Sequence, residues 1–279
     1  MSAAAFVRAA HLASLMAVFG ASGYLFLIRK LAPPARLPLA TLSLTALATA
    51  LLTFLFVTAR MTGDWHAAFS LPSLDLVATQ SFFGQVFLVR IAALVALTIL
   101  AFAGRNALAM WVLAGVALAG LGLTSHAAAN GDGHWLAFAV SDAAHLLCAG
   151  FWVGGLLAIA SMLRERRPDL VPALRVFSRW GTWAVALLVL AGIVNGLAIV
   201  PSNPAHWSYG YMTVLCFKVV LAAIMISLAL ANRLRVAPAI GAGSQPAQTE
   251  LAWTVASELA LGLIVILLAA FLGTMSPVA

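Results

Sequence analysis

The sequence predicts an all-α integral membrane protein, and three observations predict it. Hydrophobic residues fill 64% of 279 positions and charged residues only 8%, against about 45–50% and 25% in soluble globular chains. Apolar runs long enough to cross a bilayer, about 20 residues each, recur at roughly 8–28, 37–58, 83–103, 107–125, 138–162, 181–200, 211–231 and 252–274, so eight transmembrane helices are expected. The basic residues are spread through the short connections between these runs. The net charge of +7 is therefore assigned to membrane orientation, with lipid as the partner and nucleic acid excluded.

The first run begins with Arg8 ahead of apolar sequence and so imitates a signal peptide, but it continues to Ile28 and reads as an uncleaved helix. After the first, third, fifth and seventh runs come Arg29, Lys30, Arg36, Arg105, Arg164, Arg166, Arg167, Arg175, Arg179, Arg233 and Arg235. The alternate side holds only Arg8 and Arg60, and this eleven-to-two asymmetry places the first set in the cytoplasm and both termini outside. Arg90 and Lys218 lie within the third and seventh runs. All six histidines then fall on the outer side: His11 and His145 in the outer parts of helices, His126 at a helix end, and His66, His134 and His206 in loops.

An internal repeat accompanies this pattern. Ala9-Ala10-His11-Leu12 recurs as Ala143-Ala144-His145-Leu146, and Gly20 and Gly154 each follow nine residues after their histidine. Arg90 precedes Arg105 by fifteen residues, as Lys218 precedes Arg233, and LGLTSH closing the fourth helix resembles LGTMSP closing the eighth. Two parallel four-helix halves are expected, 1–130 and 131–279, within one polytopic domain. Residues 60–80, with Trp65, Phe69, Leu71, Leu74 and Leu76 among polar positions, are expected to form an interfacial helix or lid. The Gly/Pro/Ser/Gln-rich stretch 236–249 reads as a mobile linker, and Arg164–Arg179 as a basic segment against the membrane.

Chemistry concentrates in DAAHLLCAGFWVGGLL, 142–157. Asp142, His145 and Cys148 are spaced i, i+3, i+6, so on a helix they share about one-third of its circumference. Polar groups inside lipid are expensive and mark a site by default, although a single histidine is as readily explained by a hydrogen bond to a neighbouring helix. Imidazole, thioether and thiolate together favour copper, particularly Cu(I), or zinc. The ligand set expected is His126 and His145 with His11 or His134, and Asp142 orienting an imidazole. Arg90 and Lys218 either snorkel to the outer interface, anchor a carboxylate such as Asp142, or bind an external anion. Glu258 either pairs with Asn195 or stands on an ion or proton path, and Cys216 reads as a buried small residue. Gly150, Gly154 and Gly155 permit close helix packing. A different assignment makes His11 and His145 axial ligands of a b-type haem in an electron-transfer protein. A third class binds copper as a sensor or assembly partner without moving it.

Four stretches resemble the copper resistance protein D (CopD/PcoD) family of bacterial inner-membrane proteins: SDAAHLLCAGFWVGGLLAI at 141–159, FSRWGTWAVALLVLAGIVNG at 177–196, SYGYMTVLCFKVVLAAIM at 208–225, and SELALGLIVILLAAFLG at 257–273. Thr124-Ser125-His126-Ala127 resembles that family's histidine-containing helix end. The resemblance implies eight helices and movement of copper, as Cu(I) or Cu(II), from periplasm to cytoplasm, with a separate periplasmic copper-binding partner of the CopC type. Neither an ATP-binding nor a phosphorylation motif is visible. A transport protein is expected rather than an enzyme, driven by gradient, potential or metal exchange, with copper passing between the two halves.

Overall fold

The computed structural model describes residues 3–30, 38–104, 106–125 and 133–278, and its described elements are helical throughout. In chain order these are α1 (Ala3–Ile28), α2 (Leu39–Thr62), α3 (Leu71–Gln80), α4 (Phe82–Phe102), α5 (Ala107–Leu123), α6 (Trp135–Arg164), α7 (Leu170–Ile199), α8 (Tyr209–Ala231), α9 (Ala237–Gly241) and α10 (Gln245–Leu272). Seven helical stretches among the described residues, counting Tyr209–Gly241 as one, are long and apolar enough to cross a membrane. The eighth apolar run forms α5, which at 17 residues is shorter, about 25 Å of helix at 1.5 Å per residue.

α1 is the axis of the bundle. Its small residues let α2, α5, α6 and α10 approach it, and nearly all of its length is buried. It crosses α6 where Gly20 meets Gly154: a Cβ built on Gly20 would lie 2.0 Å from the carbonyl oxygen of Gly150, and one on Gly154 would lie 2.5 Å from Gly20 Cα. Lipid tails are as apolar as leucine, so such helices associate through close van der Waals packing rather than through expulsion of water. The α1/α6 seam is therefore tightly closed at this crossing. α5 and α10 flank the crossing on either side, α2 and α4 pack together beyond α5, and α7 packs along α6. α8 rests chiefly on α10.

Local sequence sets the helix limits. Ser81 caps α4 by accepting the Gly84 N–H at 2.9 Å, Asn106 caps α5 through Ala109, and Ser244 caps α10 through Ala247. Residues 60–80 contain a 3-10 turn at Ala67–Phe69 and then α3, whose exposed Leu71 and Leu76 make an apolar outer face, as an interfacial segment requires. α7 begins at Leu170, ahead of its apolar run, so Arg175 and Arg179 stand on the first part of a long helix. One expectation needs correction. The stretch 236–249 is no linker: α8 continues through a π-helical turn, Asn232–Val236, into α9, and α10 starts at Gln245. Pro238 explains the turn. It has no N–H and its ring crowds the carbonyl four residues earlier, and the ladder widens so that Ala237 N–H reaches Asn232 O.

Between α6 and α7, Arg167 grips Asp169 with Nε at 3.1 Å and Nη2 at 2.9 Å and also approaches Glu165 at 3.5 Å. The hydrogen bond from Arg167 holds the Asp169 carboxyl below its ordinary value, and the same contact raises Arg167. A carboxylate lowered on folding stabilises above its unfolded value, and that contribution is lost as pH falls through the folded one. At this surface position it amounts to less than about 1 kcal/mol. Asp169→Asn is accordingly expected to melt slightly below the parent at neutral pH and level with it in strong acid, read by thermal unfolding in detergent.

Candidate functional site

The face of α6 carrying Asp142 and His145 lies against α7, and three polar contacts stitch the two helices together. Ser141 Oγ donates to Ala191 O at 3.3 Å, Asn195 Nδ2 donates to Asp142 Oδ1 at 3.1 Å, and His145 Nδ1 lies 3.1 Å from Leu188 O. A carbonyl only accepts, so His145 Nδ1 carries the hydrogen and Nε2 keeps its lone pair. Gly192 leaves room for the ring: a Cβ there would stand 3.3 Å from His145 Cε1. Among the described residues no hydrogen bond reaches His145 Nε2. Asn195 is 8% exposed, and its Oδ1 is buried without a partner among them. Cys148, one turn deeper on α6, is a partly exposed free thiol. The field of Asp142 reaches Arg8 and Lys218, and Lys218 in turn acts on His145.

His11, its counterpart in the repeated tetrapeptide, is held differently. The ring is 2% exposed, with Nδ1 donating to Ala46 O at 3.0 Å and to Thr49 Oγ1 at 3.2 Å. On the other side, Arg90 Nη2 donates to His11 Nε2 at 2.7 Å, while Arg90 Nε donates to Ala117 O at 2.9 Å. Both imidazole nitrogens are thus occupied by α2 and α4, and His11 has none to offer a metal. Arg90, 4% exposed, neither snorkels nor reaches Asp142; it binds inward. Lys218, partly exposed, is with Arg8 one of the two cations that Asp142 acts on.

His134 stands exposed at the N-cap of α6. Eleven residues separate it from His145, about 16 Å along a helix, far outside a shared coordination sphere. His126 lies outside the described residues. The four expected histidine ligands are therefore not brought together among the described residues, and no group of three or more His, Cys, Asp or Glu side chains poised for a metal occurs among them. What the fold does bring together is Asp142 with Asn195, with His145 and Cys148 at successive turns of α6 further in.

Glu258 makes a second polar centre. It is 1% exposed, and it does not pair with Asn195. Trp152 Nε1 donates to its Oε2 at 3.1 Å and Asn232 Nδ2 to its Oε1 at 2.8 Å. Asn232 Oδ1 accepts from Thr254 at 2.7 Å. The roles of Asn195, Thr49, Trp152 and Asn232 were hidden at the level of sequence. Their only signal was a polar atom inside an apolar run.

Comparison with known proteins gives a consistent result across the chain. Residues 1–135 match the family described as copper resistance protein D-like, N-terminal domain, and residues 171–272 match copper resistance protein D. Copper resistance protein D of Pseudomonas syringae pv. tomato is 32% identical over 265 residues, covering 88% of this chain and 84% of that protein. Inner membrane protein YebZ of Escherichia coli K12 is 31% identical over 222 residues, 76% of this chain and 75% of its own length. Copper transport protein CutJ of Bacillus subtilis 168 is 30% identical over 141 residues, 46% of this chain but 24% of CutJ. No solved structure matches the chain.

Proposed function

The chain belongs to the copper resistance protein D family, and from that premise we propose that it carries copper across the bacterial inner membrane, from periplasm to cytoplasm, using His145 as its outer ligand. The observation that supports this most is the state of the His145 ring. Metal-binding histidines almost always give their other N–H to a carbonyl or carboxylate, which fixes the tautomer and aims the free nitrogen. His145 gives Nδ1–H to Leu188 O and so leaves Nε2 its lone pair, while Asp142 and Cys148, each about one turn away along α6, add a carboxylate and a thiol to the same helix face. That mixture suits a soft cation, Cu(I) before Cu(II). In this reading Asp142 orients and neutralises, Lys218 tunes the site's charge, and His126 and His134 serve only as earlier capture points on the periplasmic side.

Eight spans, parallel halves and external termini fit the same picture. The cation asymmetry favours that orientation, and α5, between α1 and α6, is just long enough to span when slightly helped by its ends. The route belongs to the second half, along the face of α6 that carries His145 and Trp152, because glycine contacts close the seam with α1. A CopC-type protein delivers copper at the outer end. A b-type haem is not favoured: it needs two free imidazole nitrogens, and His11 has none.

The test is copper accumulation by cells carrying His145→Ala at unchanged protein level. Accumulation is expected to fall to that of cells lacking the protein, while Asn195→Ala, which removes the amide contact to Asp142, weakens copper affinity by roughly 10- to 100-fold. Normal accumulation with His145→Ala rejects the ligand role.

A further inference from the structure

Glu258 lies deeper along the same face of α6. Trp152, which donates to it, follows His145 by seven residues, two helical turns further in, and α8 repeats that interval: Lys218, Met225 and Asn232 are seven residues apart. The outer pair His145 and Lys218 interact electrostatically, and the inner pair Trp152 and Asn232 hold the two oxygens of Glu258. Between these levels the Met225 side chain lies against Gly262, one turn outward from Glu258 on α10: a Cβ on Gly262 would sit 3.4 Å from Met225 Cε. From the outer to the inner level there follow a nitrogen and a thiol, then a thioether, then a carboxyl, and the carboxyl sits beside the π-helical turn where α8 is least regular. Such turns are enriched at functional sites.

The charge balance at Glu258 is incomplete as a carboxylate. Its two hydrogen-bond donors are neutral, and no ion pair to it occurs among the described residues. The ionisable groups on packed elements are elsewhere. On α6 Asp142, His145 and Cys148 lie outward and Arg164 lies at the inner end; on α8 Tyr209, Tyr211, Cys216 and Lys218 lie outward. Arg233 and Arg235 of the π turn are exposed, Arg8 and His11 of α1 are engaged with Gly273 and Arg90, and Tyr24 with Ala173. α9 has no ionisable side chain, and Glu250 of α10 is exposed. An uncompensated buried charge is avoided by binding a cation or a proton. Each oxygen of Glu258 has a lone pair beyond the hydrogen bond it accepts.

We infer that Glu258 is an inner exchange site at which a proton and the transported copper ion take turns. With the path empty, Glu258 holds a proton. When Cu(I) reaches Met225, the O–H bond of Glu258 breaks, the proton leaves to water on the inner side, and the carboxylate balances the metal's charge. When copper leaves, a proton from the same side restores the acid. No electron moves. The inference rests on the copper-transport reading and adds to it that inner acidity holds copper back.

Infrared difference spectra of the purified protein decide this. The protonated-carboxyl C=O band is expected in the parent and in His145→Ala, absent in Glu258→Gln and displaced in Glu258→Asp, all at the parent's melting temperature. Addition of Cu(I) should remove one such band per chain from the parent. Identical spectra for the parent and Glu258→Gln, or a band that persists while Cu(I) is bound, overturn the exchange. Failure of the transport reading looks different: no Cu(I) binds the parent, the exchange falls with it, and the band alone decides whether Glu258 carries a proton.

Discussion

Gly154→Val is expected to yield almost no folded protein, the largest single-residue effect in the chain. The reason is the kind of atom in the way. A Cβ on Gly154 meets Ala21 N at 2.4 Å, Gly20 Cα at 2.5 Å and Gly20 C at 2.6 Å, all backbone, none with a rotamer to yield. The two central helices would have to separate, and α1 holds α2, α5 and α10 as well as α6. Overpacking an ordinary core costs about 1–3 kcal/mol. Here the cost exceeds that range, because each increment of separation also thins the packing along the rest of the seam, and packing is the main cohesion between helices in lipid. Gly20→Val should fail in the same way. Gly181→Ala on α7 is the control, since a Cβ there meets nothing within 4 Å and gains up to about 1 kcal/mol of helix propensity. Detergent-solubilised yield and size-exclusion profile read the outcome, and a monodisperse Gly154→Val chain at parental yield would refute the sealed seam.

The same glycines show how far sequence reached. The apolar runs became helices close to where hydropathy put them, because exclusion of unsatisfied backbone from lipid leaves a long apolar segment little else to do. Gly154, with Gly150 and Gly155, was legible as a close-packing position from spacing, and Gly20 only as its counterpart in the repeat. The stretch 236–249 was not: its glycine and proline content reads as loop, yet Pro238 is accommodated by the π-helical turn that carries α8 into α9. In the site, the Asp142/His145/Cys148 face of α6 was legible because i, i+3, i+6 is a property of one helix. Partners across helices were not. His11 and His145 share the same tetrapeptide, yet one turns to α2 and α4 and the other to α7. Glu258 and Asn195 were both polar residues in apolar runs, and nothing local says that Asn195 takes Asp142 while Glu258 takes Asn232 and Trp152.

The difference between the two histidines makes the second large prediction. His11→Phe removes the acceptor for Arg90 Nη2 and leaves a guanidinium that is 4% exposed short of a partner. Leaving a buried donor without its acceptor typically costs about 1–3 kcal/mol, and more when the donor is charged, as the guanidinium is. Arg90→Met alone should cost less: it removes the charge itself and leaves a neutral lone pair on His11 Nε2, worth about 1–3 kcal/mol. The double variant, with an apolar ring beside an apolar chain of similar length, should recover much of the His11→Phe loss, so the cycle shows a coupling of roughly 0.5–3 kcal/mol. Thermal unfolding in detergent measures all four corners. Copper uptake then separates stability from chemistry. If His11 only braces α1 against α2 and α4, the double variant transports copper at the parental rate, whereas His145→Ala does not at any stability. Loss of transport in a stable double variant would return His11 to the metal path and with it the requirement that its ring leave Arg90.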